Sequence, residues 1–300
     1  MRNMLIQTHF LKKKSSLFHS LILIIIILIS YTCQKADKLE VISAENFDWL
    51  KAETERQLQG CVLMAHDGTP LYTPDGERGY AALWTRDFCC MVENAYDFVP
   101  QEHIQKTILY LIKGQRADGC MPDRVQTDGL AVYCAGPTGS PVGQPPLDNS
   151  QFMVKLVAEY VAHSGDINSF EKISDKLIAG MDFLPRTEQG LIYNDPENPH
   201  SPYGFTDTIA KTGEELFSSL LYWEACQLLA KMLEQCGDPK SAQDFISRAT
   251  LIQKNLDILW DEKSGMYLAA SINCRQIDIW GNAYAIYIGF PLAEKKDRII

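Results

Sequence analysis

The sequence predicts an all-α protein built from consecutive helical hairpins. Helical periodicity dominates from residue 44 onward, whereas strand-like alternation is confined to short runs such as 190–194 and 266–269. Long loops also recur at regular intervals along the chain, which is typical of a repeated supersecondary unit. These observations exclude a large β-sheet as the core and favour helices stacked in pairs.

Helix-breaking residues define the predicted helix pairs. Pro100 separates one pair, Gly165 and Asp166 the next, and residues 237–239, Gly-Asp-Pro, the third, with Pro239 suited to the first turn of a helix. The predicted helices span 44–59, 87–98, 101–113, 149–163, 167–184, 212–235 and 239–260, and a last one begins near Gly281.

The loops within a pair are short, but those between pairs are long and rich in Gly, Pro, Asp and Tyr, at 114–147, 186–208 and 261–280. An acidic residue marks each place where a helix begins a new pair, roughly every 60 to 70 residues. These acids are Asp87, Asp148, Asp207 and Asp278. If the hairpins close into a ring, the acids meet around one pit; an open helical-repeat scaffold is the alternative.

The first 33 residues predict an exported protein. Three lysines at 12–14 precede an apolar run at 17–29, which is shorter than the ~20 residues of a membrane span and typical of a signal peptide. Cys33 follows the run, where a lipoprotein carries its acylated cysteine, so we expect the periplasm or the cell surface, with a lipid anchor at Cys33. An uncleaved membrane anchor is the alternative. Residues 34–43 are predicted as a linker to a domain at 44–300.

The composition restricts the partners. The formal charge of −10 and the pI of about 5.1 argue against a nucleic-acid partner, which needs clustered basic residues. A neutral substrate such as a sugar suits this surface. Eight cysteines follow Cys33 without a C-x-x-C pattern or a histidine at zinc-ligand spacing, so no metal and no cofactor is predicted. We expect most of these cysteines to be buried as small hydrophobic residues. A single disulfide between two of them is the alternative in an oxidising compartment.

Aromatic and charged residues at the loop–helix junctions are candidates for sugar binding. Trp84 offers an apolar face to a sugar ring, and the adjacent Arg86 and Asp87 can bond to vicinal hydroxyls. For the acids at these junctions, the alternative is a structural role as a helix N-cap. The other candidates lie at these junctions or in the long loops that lead to them, and they are Asp123, Arg124, Asp148, Asn149, Tyr203, Asp278 and Trp280.

Asp207 is the predicted general acid. It lies at the end of a long aromatic loop, where desolvation can raise the pKa of a carboxyl group. Glu214 and Glu215 follow shortly afterwards and are further candidate catalytic carboxyls. In the structural alternative, Asp207 caps a helix while Lys211 and Glu215 form an i,i+4 ion pair.

These motifs, in this order, resemble those of the six-hairpin glycosidases, which include glucoamylase-like enzymes, trehalases, mannosyl-oligosaccharide glucosidases and bacterial α-L-rhamnosidases. The resemblance rests on the Trp-Thr-Arg-Asp sequence at 84–87, the Asp-Gly…Met-Pro loop at 118–122 and the Trp-Gly-x-Ala-Tyr sequence at 280–284. It implies an (α/α)6 toroid of which about four hairpins are present, and therefore a chain truncated at its C-terminal end.

The resemblance also implies a function. It points to an inverting, exo-acting glycoside hydrolase in which Arg86 and Asp87, with Trp84 beside them, bind the sugar whose bond is cut. One carboxyl group would protonate the glycosidic oxygen and a carboxylate would activate water, the latter in hairpins that follow Ile300. Two alternatives stay open, a polysaccharide lyase on the same toroid and a non-catalytic carbohydrate-binding protein.

Overall fold

The computed structural model describes residues 43–77, 79–134, 144–202 and 209–300. The chain divides into two compact units, residues 1–53 and 54–300, and helix α1 (Ala44–Gly60) runs across the boundary. The predicted signal peptide, the linker up to residue 42 and Cys33 lie outside the described residues. Among the residues described, no helix is both long enough and apolar enough to span a bilayer.

Helices dominate the second unit, and most begin and end close to the predicted positions. They are α2 (Thr85–Ala95), α3 (Gln101–Lys113), α4 (Asn149–Ser164), α5 (Ile167–Glu171), α6 (Ser174–Phe183), α7 (Leu216–Gln235), α8 (Pro239–Asn255), α9 (Ile279–Tyr287) and α10 (Lys296–Ile299). Short 3-10 turns follow α2 and α8 at Tyr96–Phe98 and Leu256–Leu259, and a third precedes α10 at Ala293–Lys295. The prediction of an all-α fold is confirmed.

Short antiparallel strands fasten the long loops. They are β1 (Val62–Met64) with β2 (Pro70–Tyr72); β3 (Ala82–Trp84), β4 (Arg124–Gln126) and β5 (Ala131–Val132) in one sheet; β6 (Tyr193–Asn194) with β7 (Gly213–Glu214); and β8 (Trp260–Asp261) with β9 (Met266–Tyr267). Two of these pairings, β3–β4 and β6–β7, hold residues directly before a helix start, and Tyr267 of β9 accepts a hydrogen bond from the amide of Asp278 before α9. The strands thus fix the geometry of the loop–helix junctions.

The helices form an inner and an outer layer. Helices α2, α4, α7 and α9 are neighbours in that order, whereas α3 and α6 pack on α4 and α8 packs on α7. The first ten residues of α4 are all buried, and α7 is buried on nearly every side over its first fourteen residues. A helix that is buried all round must be enclosed by other elements, as expected for an inner layer.

Lys155 of α4 joins the four inner helices. Its Nζ lies 2.9 Å from Glu224 of α7 and 3.6 Å from Glu93 of α2, and it donates a hydrogen bond to Tyr284 of α9. Tyr287 of α9 also donates to Glu93 at 3.0 Å. The first and fourth inner helices therefore meet across a common interior, and the hairpins curve around it in a ring-like arrangement rather than following a straight superhelix.

The structure corrects several predicted helix boundaries. The helix predicted at 167–184 is two helices separated at Lys172 and Ile173, and the one predicted at 239–260 ends at Asn255. The helix predicted at 212–235 begins only at Leu216, because Gly213 and Glu214 pair as a short strand with Asn194 and Tyr193, and Gly213 has a φ of +87°. Local strand pairing has overridden helix propensity at that junction.

No disulfide joins any two of the described cysteines. Cys89 and Cys226 are completely buried within the apolar core, where they pack as small hydrophobic residues, as the sequence predicts.

Candidate active site

Trp84 and Arg124 form a platform at the start of α2. They are directly paired across β3 and β4, and the Arg124 guanidinium carbon lies 4.6 Å from the centre of a Trp84 ring. Tyr80, which is exposed, meets Trp84 edge to face at 5.7 Å. Arg124 also donates to Asp123 and to the Cys134 carbonyl. The strand pairing thus presents an indole with a stacked cation, an arrangement that a sugar ring can contact.

Arg86 and Asp148 tie the starts of two inner helices together. Arg86 lies in the first turn of α2, and its Nε and Nη2 donate to the two carboxylate oxygens of Asp148 at 2.8 and 2.9 Å. Nη2 also approaches Asn149 Oδ1 at 3.4 Å. Arg86 and Asp148 are both buried, so the bidentate pair is shielded from water and is stronger than a surface ion pair.

The electrostatics of this cluster keep Arg86 charged. Burial by itself would lower the pKa of Arg86, but the carboxylates of Asp148, Asp123 and Asp87 outweigh it, and the net shift is upward. Burial raises the pKa of Asp123 to about 6, although Arg86 offsets part of the effect. Asp123 Oδ1 lies 3.8 Å from Arg86 Nη2 and has no hydrogen-bond partner within the described residues. The pKa of Asp87, which is half-buried, is also raised by desolvation.

The capping role applies to only one of the described junction acids. Asp278 caps α9, because its Oδ1 accepts from the Gly281 backbone at 3.0 Å. Asp148 occupies the same position before α4 but makes no capping bond with its side chain. Asp87 lies within the first turn of α2, after Trp84 at the cap position. Asp207 and Tyr203 lie outside the described residues.

Glu214 and Glu215 occupy successive positions before α7 and point to opposite sides, as neighbours in a strand do. Glu214 is half-buried and accepts a hydrogen bond from Ser271 Oγ. Glu215 is fully buried, with Ser218 Oγ 2.8 Å from its Oε2. Burial raises the pKa of Glu215 to about 8; Lys211 and Asn194 offset part of this shift, and the charge of Asp148 adds to it.

The junctions of all four inner helices converge at one end of the ring. Arg86 bridges α2 to Asp148, and the charge of Asp148 reaches Glu215 before α7. Lys211 acts on Glu215 and also lies 3.8 Å from Asp278 at the start of α9. Trp280, in the first turn of α9, is 58% exposed. Within the described ranges, no three His, Cys, Asp or Glu side chains are arranged to hold a metal ion.

Three further residues organise this site and are not predicted from the sequence. Asn194 donates to the carbonyls of His200 and Lys211 and approaches Glu215. Ser218 and Ser271 bond to the two glutamates. A signal existed for Ser218, because it lies in the first turn of α7 only three residues after Glu215. Nothing local marks Ser271, which lies 57 residues from Glu214, and no motif marks Asn194.

Comparison with solved structures identifies the fold. No sequence profile of a known protein family matches this chain. Nor does any curated protein. The GH78 family rhamnosidase of Bacillus sp. GL1 matches with 16% identity and a TM-score of 0.58, over 73% of this chain and 22% of that chain. A rhamnosidase from Klebsiella oxytoca, solved with rhamnose bound, matches with 16% identity and a TM-score of 0.58, over 76% and 42%.

A third match covers more of its partner. The GH63 mannosylglycerate hydrolase from Thermus thermophilus, solved in complex with glucose, is 16% identical with a TM-score of 0.60, over 83% of this chain and 75% of that chain. The chain thus spans less than half of either rhamnosidase. These similarities confirm the fold: the chain has the six-hairpin glycosidase fold expected from its motifs.

Proposed function

We propose that the protein is a glycoside hydrolase whose sugar substrate binds at the junction end of the inner helices. The main support for this proposal is the convergence of the junction residues. An indole platform and several carboxyl groups from four different helix starts lie at one end of the inner helices. The rhamnosidases and the mannosylglycerate hydrolase with this fold support carbohydrate as the substrate class. No nucleic-acid partner is proposed.

The accessible and the buried residues of the cluster take different roles. Trp84 and Arg124 form the surface on which a sugar ring stacks, and the half-buried Asp87 accepts hydrogen bonds from its hydroxyls. Trp280 offers a second exposed indole. The buried residues of the cluster hold this surface in place rather than touching the sugar. They are Arg86, Asp123, Asp148 and Asn149.

The proposed chemistry is inverting, exo-acting hydrolysis. One carboxylic acid protonates the glycosidic oxygen while a carboxylate activates water on the other face, the two standing ~6.5–9.5 Å apart. Asp207 is the proposed general acid. Glu214 is the second candidate, because it is half-buried at the junction and its carboxylate is oriented by Ser271.

Binding and turnover variants test this proposal separately. In a glycan screen with the full-length protein, Asp207→Asn and Glu214→Gln identify the acid, because the correct substitution lowers kcat by about 10²–10⁴ while sugar binding persists. Nuclear magnetic resonance of the first product reports the anomer released. Binding without turnover by any full-length form would instead support a carbohydrate-binding protein, and an unsaturated product absorbing in the ultraviolet would support a lyase.

Asp87→Ala tests the binding surface. We expect it to weaken sugar binding while circular dichroism shows unchanged helix content, because Asp87 is not the N-cap of α2. Parallel loss of sugar binding and helix content would contradict a binding role.

We also propose export to the periplasm or the cell surface, with lipidation at Cys33. The basic and apolar segments before Cys33 support this. Metabolic labelling with a radioactive fatty acid should mark the wild-type protein and not Cys33→Ser; equal labelling of both would refute the anchor.

A further inference from the structure

Two short contacts at Ser218 compete for its one hydroxyl hydrogen. Ser218 Oγ lies 2.6 Å from the Pro202 carbonyl oxygen and 2.8 Å from Glu215 Oε2. Both are hydrogen-bond distances for oxygen pairs, and a serine hydroxyl donates only once. The Pro202 carbonyl has no hydrogen to give, so the shorter contact requires the serine hydrogen.

The contact between Ser218 and Glu215 therefore needs a second hydrogen. An ionised carboxylate at 2.8 Å would face the lone pairs of a hydroxyl whose hydrogen is already used. A protonated carboxyl group donates to Ser218 Oγ and satisfies both contacts. We propose that Glu215 is a positioning residue that keeps its proton at neutral pH, donates it to Ser218 and, through Ser218, fixes the backbone at Pro202.

The surroundings of Glu215 give little help to a carboxylate. Asn194 Nδ2 has two hydrogens, which go to the carbonyls of Lys211 and His200 at 2.6 and 2.9 Å, so its 3.4 Å approach to Glu215 Oε1 is the weakest of three. The side chain of Lys211 is the nearby cation, but it is shared with Asp278 at 3.8 Å.

Two further charges act on Glu215 or on its neighbours. Asp148, at the start of α4, opposes ionisation of Glu215, and Arg86 is engaged by Asp148. Burial, with the charge of Asp148 adding to it, raises the pKa of Glu215 to about 8, in agreement with the hydrogen count at Ser218.

The hydrogen bond from Glu215 to Ser218 affects the centre of the cluster through the backbone at residues 201 and 202. Ser201, next to Pro202, accepts a hydrogen bond from the Leu147 amide at 2.9 Å, and Leu147 immediately precedes Asp148. Fixing Pro202 thus steadies the chain beside the Arg86–Asp148 pair. This inference deepens the proposed function, and its catalytic consequence rests on that function: activity falls at alkaline pH as Glu215 ionises and releases Pro202.

Infrared difference spectroscopy of the wild-type protein against Glu215→Gln tests the protonation directly. At pH 7 we expect a carbonyl-stretch band of a protonated carboxylic acid that is absent from Glu215→Gln and titrates with a midpoint near pH 8, above the pH of about 6 at which Asp123 titrates. Glutamine keeps a donor for Ser218, so this variant should fold. Glu234→Gln, at an exposed glutamate of α7, is the matched control and should leave the band unchanged. A difference spectrum with carboxylate bands only would overturn the proposal.

The pH dependence of unfolding gives a second measurement. Because the folded state holds a proton that the unfolded state loses above ~4.3, the unfolding equilibrium constant of the wild type should rise relative to Glu215→Gln by up to about tenfold per pH unit until pH 8. A pH-independent ratio would contradict the proposal. If Glu215→Gln fails to fold, the wild-type band and its titration midpoint still show whether Glu215 is protonated. Neither measurement uses a sugar, so failure of the hydrolase proposal leaves this test intact.

Discussion

Asp148 precedes α4 at the position where an aspartate usually caps a helix, yet its carboxylate binds Arg86 of α2 with two hydrogen bonds. Replacing Asp148 with Asn would leave the buried guanidinium without its main counter-charge. Breaking a buried pair in this way costs about 3–5 kcal/mol. We therefore predict that Asp148→Asn lowers the free energy of unfolding by this amount, measured by urea titration at neutral pH.

An exposed ion pair provides the matched control for Asp148→Asn. Arg248 Nη2 lies 2.6 Å from Asp244, which is solvent-exposed, and Asp182 also binds Arg248. Asp244→Asn should change the free energy of unfolding by less than about 1 kcal/mol. Comparable losses in the two variants would show that the Arg86–Asp148 pair is no more important than a surface contact.

At the scale of elements, β7 depends on a glycine for its position. Gly213 has a φ of +87°, and a Cβ at this position would lie 2.1 Å from Ser271 Oγ, the group that orients Glu214. Gly213→Ala should cost about 1–2 kcal/mol for the backbone conformation and about 1–3 kcal/mol more for the crowding. We predict a loss of stability in urea together with a fall in kcat, since Glu214 loses its partner.

Gly165→Ala is the control that separates the conformational cost of Gly213→Ala from its steric cost. Gly165 also has a positive φ, of +69°, but no heavy atom lies within 4 Å of the added Cβ. It should show the conformational cost alone and leave activity unchanged. Equal destabilisation by the two alanines would mean that Ser271 moves aside without consequence.

The same junction shows how far sequence reasoning reaches at this scale. Periodicity and helix breakers predict α3, α4 and the start of α8 closely, because these boundaries are set by local residues such as Pro100 and Pro239. The predicted first residue of α7 is wrong by several positions, because the pairing between β6 and β7 joins segments about twenty residues apart. No local pattern specifies such a pairing.

The candidate site follows the same rule. The repeat of junction acids placed Asp87, Asp148 and Asp278 correctly at helix starts, so their convergence could be expected from ring closure. Which of them caps a helix and which binds another side chain depends on distances across the ring. Asp278 and Asp148 look alike in sequence and differ in the structure for that reason.

At the scale of the whole molecule, the junctions share one site only because the inner layer of helices curves. Lys155 contacts the other three inner helices and stabilises this curvature. Its ammonium group is buried between Glu93 and Glu224, and Tyr284 binds both Lys155 and Glu224. Four helices that are far apart in sequence therefore share one network of charges. Its loss should affect the entire ring rather than one hairpin.

We predict that Lys155→Met lowers the free energy of unfolding by about 3–5 kcal/mol, because Glu93 and Glu224 would be left partly buried without their shared cation. Lys106→Met, at an exposed pair with Glu102, should cost less than about 1 kcal/mol. Combining Lys155→Met with Glu93→Gln and Glu224→Gln should recover most of the loss in urea titration, since no unpaired charge then remains. If the triple variant is as unstable as Lys155→Met, the methylene contacts of Lys155 hold the ring together, and the ion pairs do not.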